Sequence, residues 1–314
     1  MPRRKLPHRH LDPRRPFTRA EALQAGIDDA QLAGPAYHQV FWGVHLSAVV
    51  APTLVMRALA ALTISPPTAV VTHHTAARLW GGVAPDSSDV HVTIPRVHRP
   101  KVTGIRPHRV VRMPVPVTRR GLPVTSAERT FLDLGRWCDL VDLVVLGDSL
   151  VKAGVTTPER LVDAAAAWDG THRSLLRRAA GFVRDRVDSP MESRLRMLLV
   201  LAGLPEPVVN IAVEDEDGRV RYRIDLSFPD HGLGIEFDGR HHIERRVQWE
   251  SDLLRREDLE SEGWSFVVVL ASQVYGDPAG VLARVTAAMR THGIRVPRRL
   301  DPEWRRHFPG RDER

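Results

Sequence analysis

A single cysteine, Cys138, stands in a chain of 314 residues. That excludes a disulfide framework and any zinc site built on cysteine thiolates, and it suits a reducing cytosol. Long apolar runs are also missing. None approaches the ~18 residues that a membrane span needs, and the first residues are basic and proline-rich where a secretory leader would be apolar. The expectation is a cytoplasmic protein with no membrane partner. Lysine is nearly absent: Lys5, Lys101 and Lys152 are the only ones, so arginine supplies almost all the positive charge. The net charge of +7 favours a polyanionic partner, although arginine-, alanine- and valine-rich usage also follows from GC-rich coding. Acidic residues are missing from one long interval. Between Val90 and Ala127 there is none, while Arg96, Arg99, Lys101, Arg106, Arg109, Arg112, Arg119 and Arg120 all fall there. A stretch of one sign repels itself unless an anion lies over it, or else it is a solvated basic surface. Arg106, Arg109 and Arg112 are the candidate nucleic-acid contacts in it.

The length suggests two or three domains, and a 43% hydrophobic fraction is ample for packed cores. No internal repeat is evident. The most informative stretch lies towards the C-terminus. Ile224, Leu226 and Phe228 alternate with Asp225 and Ser227, and Leu233, Ile235 and Phe237 alternate with Gly234, Glu236 and Asp238. Period-two alternation on both sides of Pro229-Asp230-His231-Gly232 predicts a β-hairpin. With Phe228 paired to Leu233, Asp225 falls opposite Glu236, and Asp238 lies two residues on along the same face. Directly opposed like charges destabilise a hairpin. A hard divalent cation removes the conflict, since Mg²⁺ binds carboxylate oxygens; a solvated acidic face on an edge hairpin is the other reading.

Upstream, Ser189-Pro190-Met191-Glu192 has the form of a helix start, with Ser189 as N-cap and Pro190 at the first helical position. Glu192 either completes a capping box or serves the carboxylate group. Downstream come Gly239-Arg240-His241-His242, a helix carrying Gln248, Asp252, Arg255 and Arg256, a buried strand from Trp264 to Leu270, and a last helix over about 278–291.

Ser189-Pro190-x-Glu192, Ile224-Asp225-Leu226, Ile235-Glu236-Phe237-Asp238-Gly239 with His242, and Asp252-x-x-Arg255 running into Glu262-Gly263-Trp264 together resemble the restriction-endonuclease-like PD-(D/E)XK nucleases. The likeness covers about Ser189 to Arg290 and is greatest to the very-short-patch-repair (Vsr)-like branch. The resemblance implies an αβββαβα domain with Asp225 and Glu236 as ligands of Mg²⁺ (or Mn²⁺) and Glu192 assisting from the helix. The superfamily usually has lysine two residues after the glutamate, and here that position is Asp238. The Vsr-like branch also has aspartate there and uses nearby histidine, which points to His242 or His241 for proton transfer. Asp238 is then a further ligand or orients His242. Arg255 contacts phosphate or pairs with Asp252 or Glu257, and Gln248 lines the groove.

Near the N-terminus, Thr18-Arg19-Ala20-Glu21 is a capping box that opens a short helix ending at Gly26. Asp28 opens a second helix over 28–36, stopped by Gly34-Pro35. Val40 to Leu46 reads as a short strand pair. Ala22-Leu23-Gln24-Ala25-Gly26 and Trp42-Gly43-Val44-His45 resemble the winged-helix domain of AbiEi-type antitoxins and regulators, which implies DNA contact here. Few side chains of the second helix could read base edges, which need Arg, Asn or Gln. Further on, the sequence predicts helices over Leu54–Leu62, Thr72–Trp80, Leu140–Leu150 and Glu159–Ala167, a strand over Val90–Ile94, and a helix capped near Thr125-Ser126. His73-His74, with no carboxylate close in sequence, reads as a polar pair at a helix end.

The expected fold is mixed α/β (α+β). It has a basic arm (1–15), a winged-helix-like domain (16–50), a mixed α/β middle domain (51–187), a nuclease-like domain (188–291) and a basic tail (292–314). The expected function is DNA binding with metal-dependent phosphodiester hydrolysis. The alternative is a regulator whose nuclease fold is inactive. DNA is the expected partner, and a homodimer is compatible with the sequence.

Overall fold

The computed structural model describes residues 11–98, 102–214, 217–238 and 263–310. The fold is mixed α/β, with three sheets among the described residues, and the chain divides into two compact units, Met1–Trp137 and Cys138–Arg314.

The first unit begins with β1 (Phe17–Thr18), α1 (Arg19–Gln24), α2 (Asp29–Leu32), β2 (Tyr37–Phe41) and β3 (Val44–Ser47). The strands form a sheet in the order β1-β3-β2. The expected capping box is present: the Glu21 backbone N–H donates to Thr18 Oγ1 at 3.2 Å, and Thr18 N–H donates to Glu21 Oε2 at 2.7 Å. Asp28 and Gln31 repeat the device at α2. That helix is a single turn, shorter than the expected 28–36, because Gly34 and Pro35 follow directly. Phe17, Ala22 and Leu32 form its small core.

A five-stranded sheet follows, built from β4 (Val70–Val71), β5 (Val90–Pro95), β6 (Ile105–Val110), β7 (Val117–Arg119) and β8 (Leu122–Val124), in the order β6-β5-β4-β8-β7. β5 is buried along nearly its whole length, as its run of branched residues requires. α3 (Leu54–Thr63) and α4 (His73–Trp80) pack on it. α4 stops at Gly81, whose φ of +88° is the left-handed geometry that ends helices at little cost. α5 (Ala127–Asp133) starts at Ser126, which accepts the Arg129 N–H.

The second unit opens with α6 (Leu140–Lys152), α7 (Pro158–Ala167), α8 (Arg173–Phe182) and α9 (Pro190–Leu201). Sequence alone groups α6 to α8 with the preceding strands. Their packing groups them with α9 instead, because α6 lies against both α8 and α9. A buried ion network joins α6 to α9. Arg196, fully buried, donates to Asp148 Oδ2 and to Glu206 Oε1, each at 2.9 Å. Asp148 also accepts from Ser193 Oγ at 2.7 Å and from the Arg184 N–H at 2.8 Å. α9 in turn packs on a four-stranded sheet of β9 (Val208–Glu214), β10 (Val220–Phe228), β11 (Leu233–Asp238) and β12 (Ser265–Leu270), in the order β12-β11-β10-β9. α10 (Ala271–Gly276) and α11 (Pro278–Thr291) complete the layer.

Candidate active site

β10 and β11 form the expected hairpin, with Phe228 opposite Leu233, Ser227 opposite Gly234 and Leu226 opposite Ile235. Pro229–His231 make one 3₁₀ turn, and Gly232 closes the loop with a φ of +60°. A Cβ at Gly232 would meet the Gly263 carbonyl oxygen at 2.7 Å, so only glycine fits. On the other side, β11 runs parallel to β12, with Glu236 beside Val268 and Asp238 beside Leu270. β11 is therefore an interior strand, and its position is fixed on both edges.

One step beyond Leu226 and Ile235, the register brings Asp225 level with Glu236. Here the Asp225 carboxylate takes up a backbone donor: Phe237 N–H donates to Asp225 Oδ2 at 2.8 Å. The Asp225 side chain thus lies against the main chain one residue past Glu236. Asp225, Glu236 and Asp238 are all half-buried. Carboxylates at level positions on neighbouring strands, partly out of water, are the kind of donors a hard cation takes together with water and phosphate oxygens.

The third strand adds a residue that sequence reasoning missed. β9 pairs with β10 through Ile211 opposite Ile224 and Val209 opposite Leu226, so Asn210 lies level with Asp225. Asn210 is buried and has a φ of +45°. Left-handed backbone outside glycine costs about 1–3 kcal/mol and gathers at functional sites; Asn tolerates it best. Its Nδ2 donates to Glu192 Oε2 at 2.9 Å and to the Arg186 carbonyl at 2.5 Å. A lone asparagine inside Val208-Val209-Asn210-Ile211-Ala212-Val213 was the available signal.

Glu192 is buried at the start of α9. Ser189 Oγ accepts the Glu192 N–H at 3.2 Å, as a cap should. The Glu192 side chain does not return to Ser189: its Oε2 accepts from the Asp188 N–H at 2.9 Å and from Asn210. Glu192 is thus linked by hydrogen bonds to the residue level with Asp225. Among the described residues, these four carboxylates do not gather three ligand oxygens within 4.8 Å of one another. The tight pairing is between Asp225 and the Glu236–Phe237 segment, with Glu192 reached through Asn210.

Arg106 and Arg109 lie exposed on the edge strand β6, and Arg112 is exposed just after it. Arg106 stacks on the Trp137 ring, 4.9 Å from its centroid. His241, His242, Gln248 and Arg255 lie outside the described residues.

Residues 208–289, which carry this sheet and its carboxylates, match the restriction-endonuclease-like family model REase_MTES_1575. The C-terminal part of the chain therefore contains a restriction-endonuclease-like domain. Over a longer span the chain is similar to two proteins of Mycobacterium tuberculosis, "Uncharacterized protein Rv2248" of strain H37Rv and "Uncharacterized protein MT2308" of strain CDC 1551. Each is 24% identical over 259 residues, covering 82% of this chain and 94% of the relative. A solved structure, "Crystal structure of RV2827C protein from Mycobacterium tuberculosis", aligns with a TM-score of 0.39 and 14% identity, over 64% of this chain and 84% of that one.

Proposed function

We propose that the chain is a DNA-binding protein whose C-terminal domain hydrolyses DNA phosphodiester bonds with Mg²⁺ or Mn²⁺ as cofactor. What supports this reading is that the β10–β11 register, continued one step past Leu226 and Ile235, sets Asp225 level with Glu236, that the Phe237 N–H donates to Asp225 Oδ2, and that both residues fall within the segment that matches the nuclease family. The donor set fits the ion: carboxylate oxygens, half-buried, on two strands held in register. A bound Mg²⁺ supplies a water of lowered pKa and offsets charge on the scissile phosphate. Asp225 and Glu236 are the ligands in this reading. The backbone bond from Phe237 fixes the Asp225 carboxyl group, and Glu192 and Asn210 brace the sheet edge beside it. Asp238 is a further ligand or orients a histidine. His242 or His241 moves the proton to or from the reacting oxygens. Arg255, Gln248 and His241 are proposed to meet the DNA backbone from the same domain. Arg106, Arg109 and Arg112 would contact it from the first unit, with the winged-helix-like segment assisting.

One observation favours a second reading. Asp238 occupies the place where the superfamily usually has lysine, so a nuclease fold retained for DNA binding or assembly, as in an antitoxin-like regulator, is the alternative. A plasmid-nicking assay separates the two. Wild-type protein with Mg²⁺ or Mn²⁺ is expected to convert supercoiled to nicked DNA, and Asp225→Ala is expected to reduce the rate at least about 100-fold, the scale of losing a principal transition-state contact. Absence of cleavage by the wild type with either metal, alongside retained DNA binding, would select the regulator.

A further inference from the structure

In the first unit, four histidines from three elements meet beneath one tryptophan. His73 and His74 open α4, His91 lies on β5, and His108 lies on β6. The His73 and His108 rings stack with centroids 3.5 Å apart, and those of His74 and His91 are 4.6 Å apart. Trp137 stands edge-on to all four, at 5.9 to 6.5 Å. Ring nitrogens of His73, His91 and His108 all lie within 4.8 Å of one another.

We propose that His73, His91 and His108 form a binding site for a single divalent transition-metal ion, with Zn²⁺ the best match to an all-imidazole set. Three neutral imidazoles and one remaining position are a recurrent zinc arrangement, with Zn–N distances of about 2.0–2.1 Å. Around a tetrahedral ion the ligand nitrogens would stand about 3.4 Å apart. His91 Nδ1 and His108 Nε2 are 3.0 Å apart, and because the His73 ring lies flat on the His108 ring, His73 must turn out of that stack to aim its lone pair at the same ion.

Three further features support an ion over a simple hydrogen-bonded cluster. First, the other ring nitrogen of two ligands is held by a hydroxyl: Thr72 Oγ1 lies 2.9 Å from His73 Nδ1, and Ser87 Oγ lies 2.8 Å from His91 Nε2. Metal-bound histidines are usually held in this way, with the outer nitrogen bonded and the inner lone pair directed at the ion. Second, His74 Nδ1 is buried with no hydrogen-bond partner, which is rare for a polar atom and leaves an unmet ring nitrogen beside His91. Third, His73 has a φ of +51°, a strained conformation for a non-glycine residue of the kind that gathers at functional sites.

Burial keeps these rings neutral. It is the main cause that pushes His73 down to about 2, His91 to about 3 and His108 to about 4. Arg106, stacked on Trp137, is a nearby positive charge that adds to burial in keeping His91 and His108 neutral.

The test is Co²⁺ and Zn²⁺ binding by the full chain without an affinity tag. It is done in the Asp225→Asn background, so that an ion at the carboxylate pair is not counted. The expected result is one Co²⁺ per chain with the intense visible bands of a tetrahedral site, displaced by Zn²⁺. His73→Gln, His91→Gln and His108→Gln should each weaken binding at least about 100-fold, while His38→Gln, on β2, should not change it. Ser87→Ala keeps every ligand and should weaken binding by about 10-fold, giving a readout even if a histidine variant fails to fold. Lack of a stoichiometric ion, or affinity unchanged by Ser87→Ala and by the folded histidine variants, would overturn the proposal. It stands or falls independently of nuclease activity.

Discussion

Replacing Arg196 tests how the α6–α9 contact supports the nuclease-like sheet. The guanidinium is fully buried and bridges Asp148 and Glu206. Arg196→Met keeps much of the side-chain volume but leaves the Asp148 carboxylate, 2% exposed, with only Ser193 Oγ and the Arg184 N–H as donors. Removing one partner of a buried pair costs about 3–5 kcal/mol, mostly because the remaining charge stays buried. Two features set the value within that range. Glu206 is partly exposed and keeps Arg184 at 2.7 Å, so its share is small. Arg196 Nε is buried without a partner in the wild type, so the wild type already carries an unmet donor. The expectation is therefore about 3 kcal/mol, near the lower bound. For a unit of this size that lowers the unfolding midpoint by about 6–12 °C. Adding Asp148→Asn removes the stranded charge and leaves an acceptor for Ser193, so the double variant should recover at least about 1.5 kcal/mol. Urea unfolding followed by far-UV circular dichroism measures the cycle. A single-variant cost below about 1 kcal/mol, or no recovery in the double variant, would refute the assignment of this network as the clamp between α6 and α9.

Asn210→Ala should lower stability by about 2–4 kcal/mol, from two lost hydrogen bonds and a left-handed backbone that alanine resists. It should also slow nicking, which thermal melts and the plasmid assay read separately. Cys138 should be inert in the native state, since burial first, and then Asp142 and Asp139, push its thiol up to about 12. A thiol-reactive chromophore at pH 8 should label it only after urea is added, and rapid native labelling would contradict the burial. The Arg178 guanidinium holds Glu303 below its ordinary carboxylate range. Its stabilising effect is therefore full above pH ~4.5 and is lost as pH falls through the lowered value. Both groups are partly exposed, so Glu303→Gln should flatten the acid limb of a pH–stability curve by less than about 1 kcal/mol.

The features that sequence disclosed were local. The β10–β11 hairpin was legible because alternation and a Pro/Asp/Gly turn lie within 15 residues (224 to 238), and the observed register follows the expected one. Helix starts at Thr18, Ser126 and Ser189 were legible because a hydroxyl caps each. α8 went unseen for the converse reason: His172, at its N-cap, makes no capping bond and has a φ of +60°. The Asn210–Glu192 bond and the histidine cluster were not legible because they join elements far apart in sequence. His73 and His74 read as a helix-end pair until β5 and β6 bring His91 and His108 against them. The grouping of α6 to α8 with α9 was hidden similarly, since the buried Asp148–Arg196 pair spans 48 residues.

In the proposed function, Asp225 and Glu236 together hold a hard divalent ion. Mn²⁺ binding to the full chain, followed by loss of the free-ion electron paramagnetic resonance signal, addresses it without relying on cleavage. Wild-type protein should sequester Mn²⁺, Asp225→Asn with Glu236→Gln should lose that binding while keeping the wild-type melting profile, and Mg²⁺ should compete for it. Equal Mn²⁺ binding by the folded double variant would overturn the assignment of Asp225 and Glu236 as metal ligands.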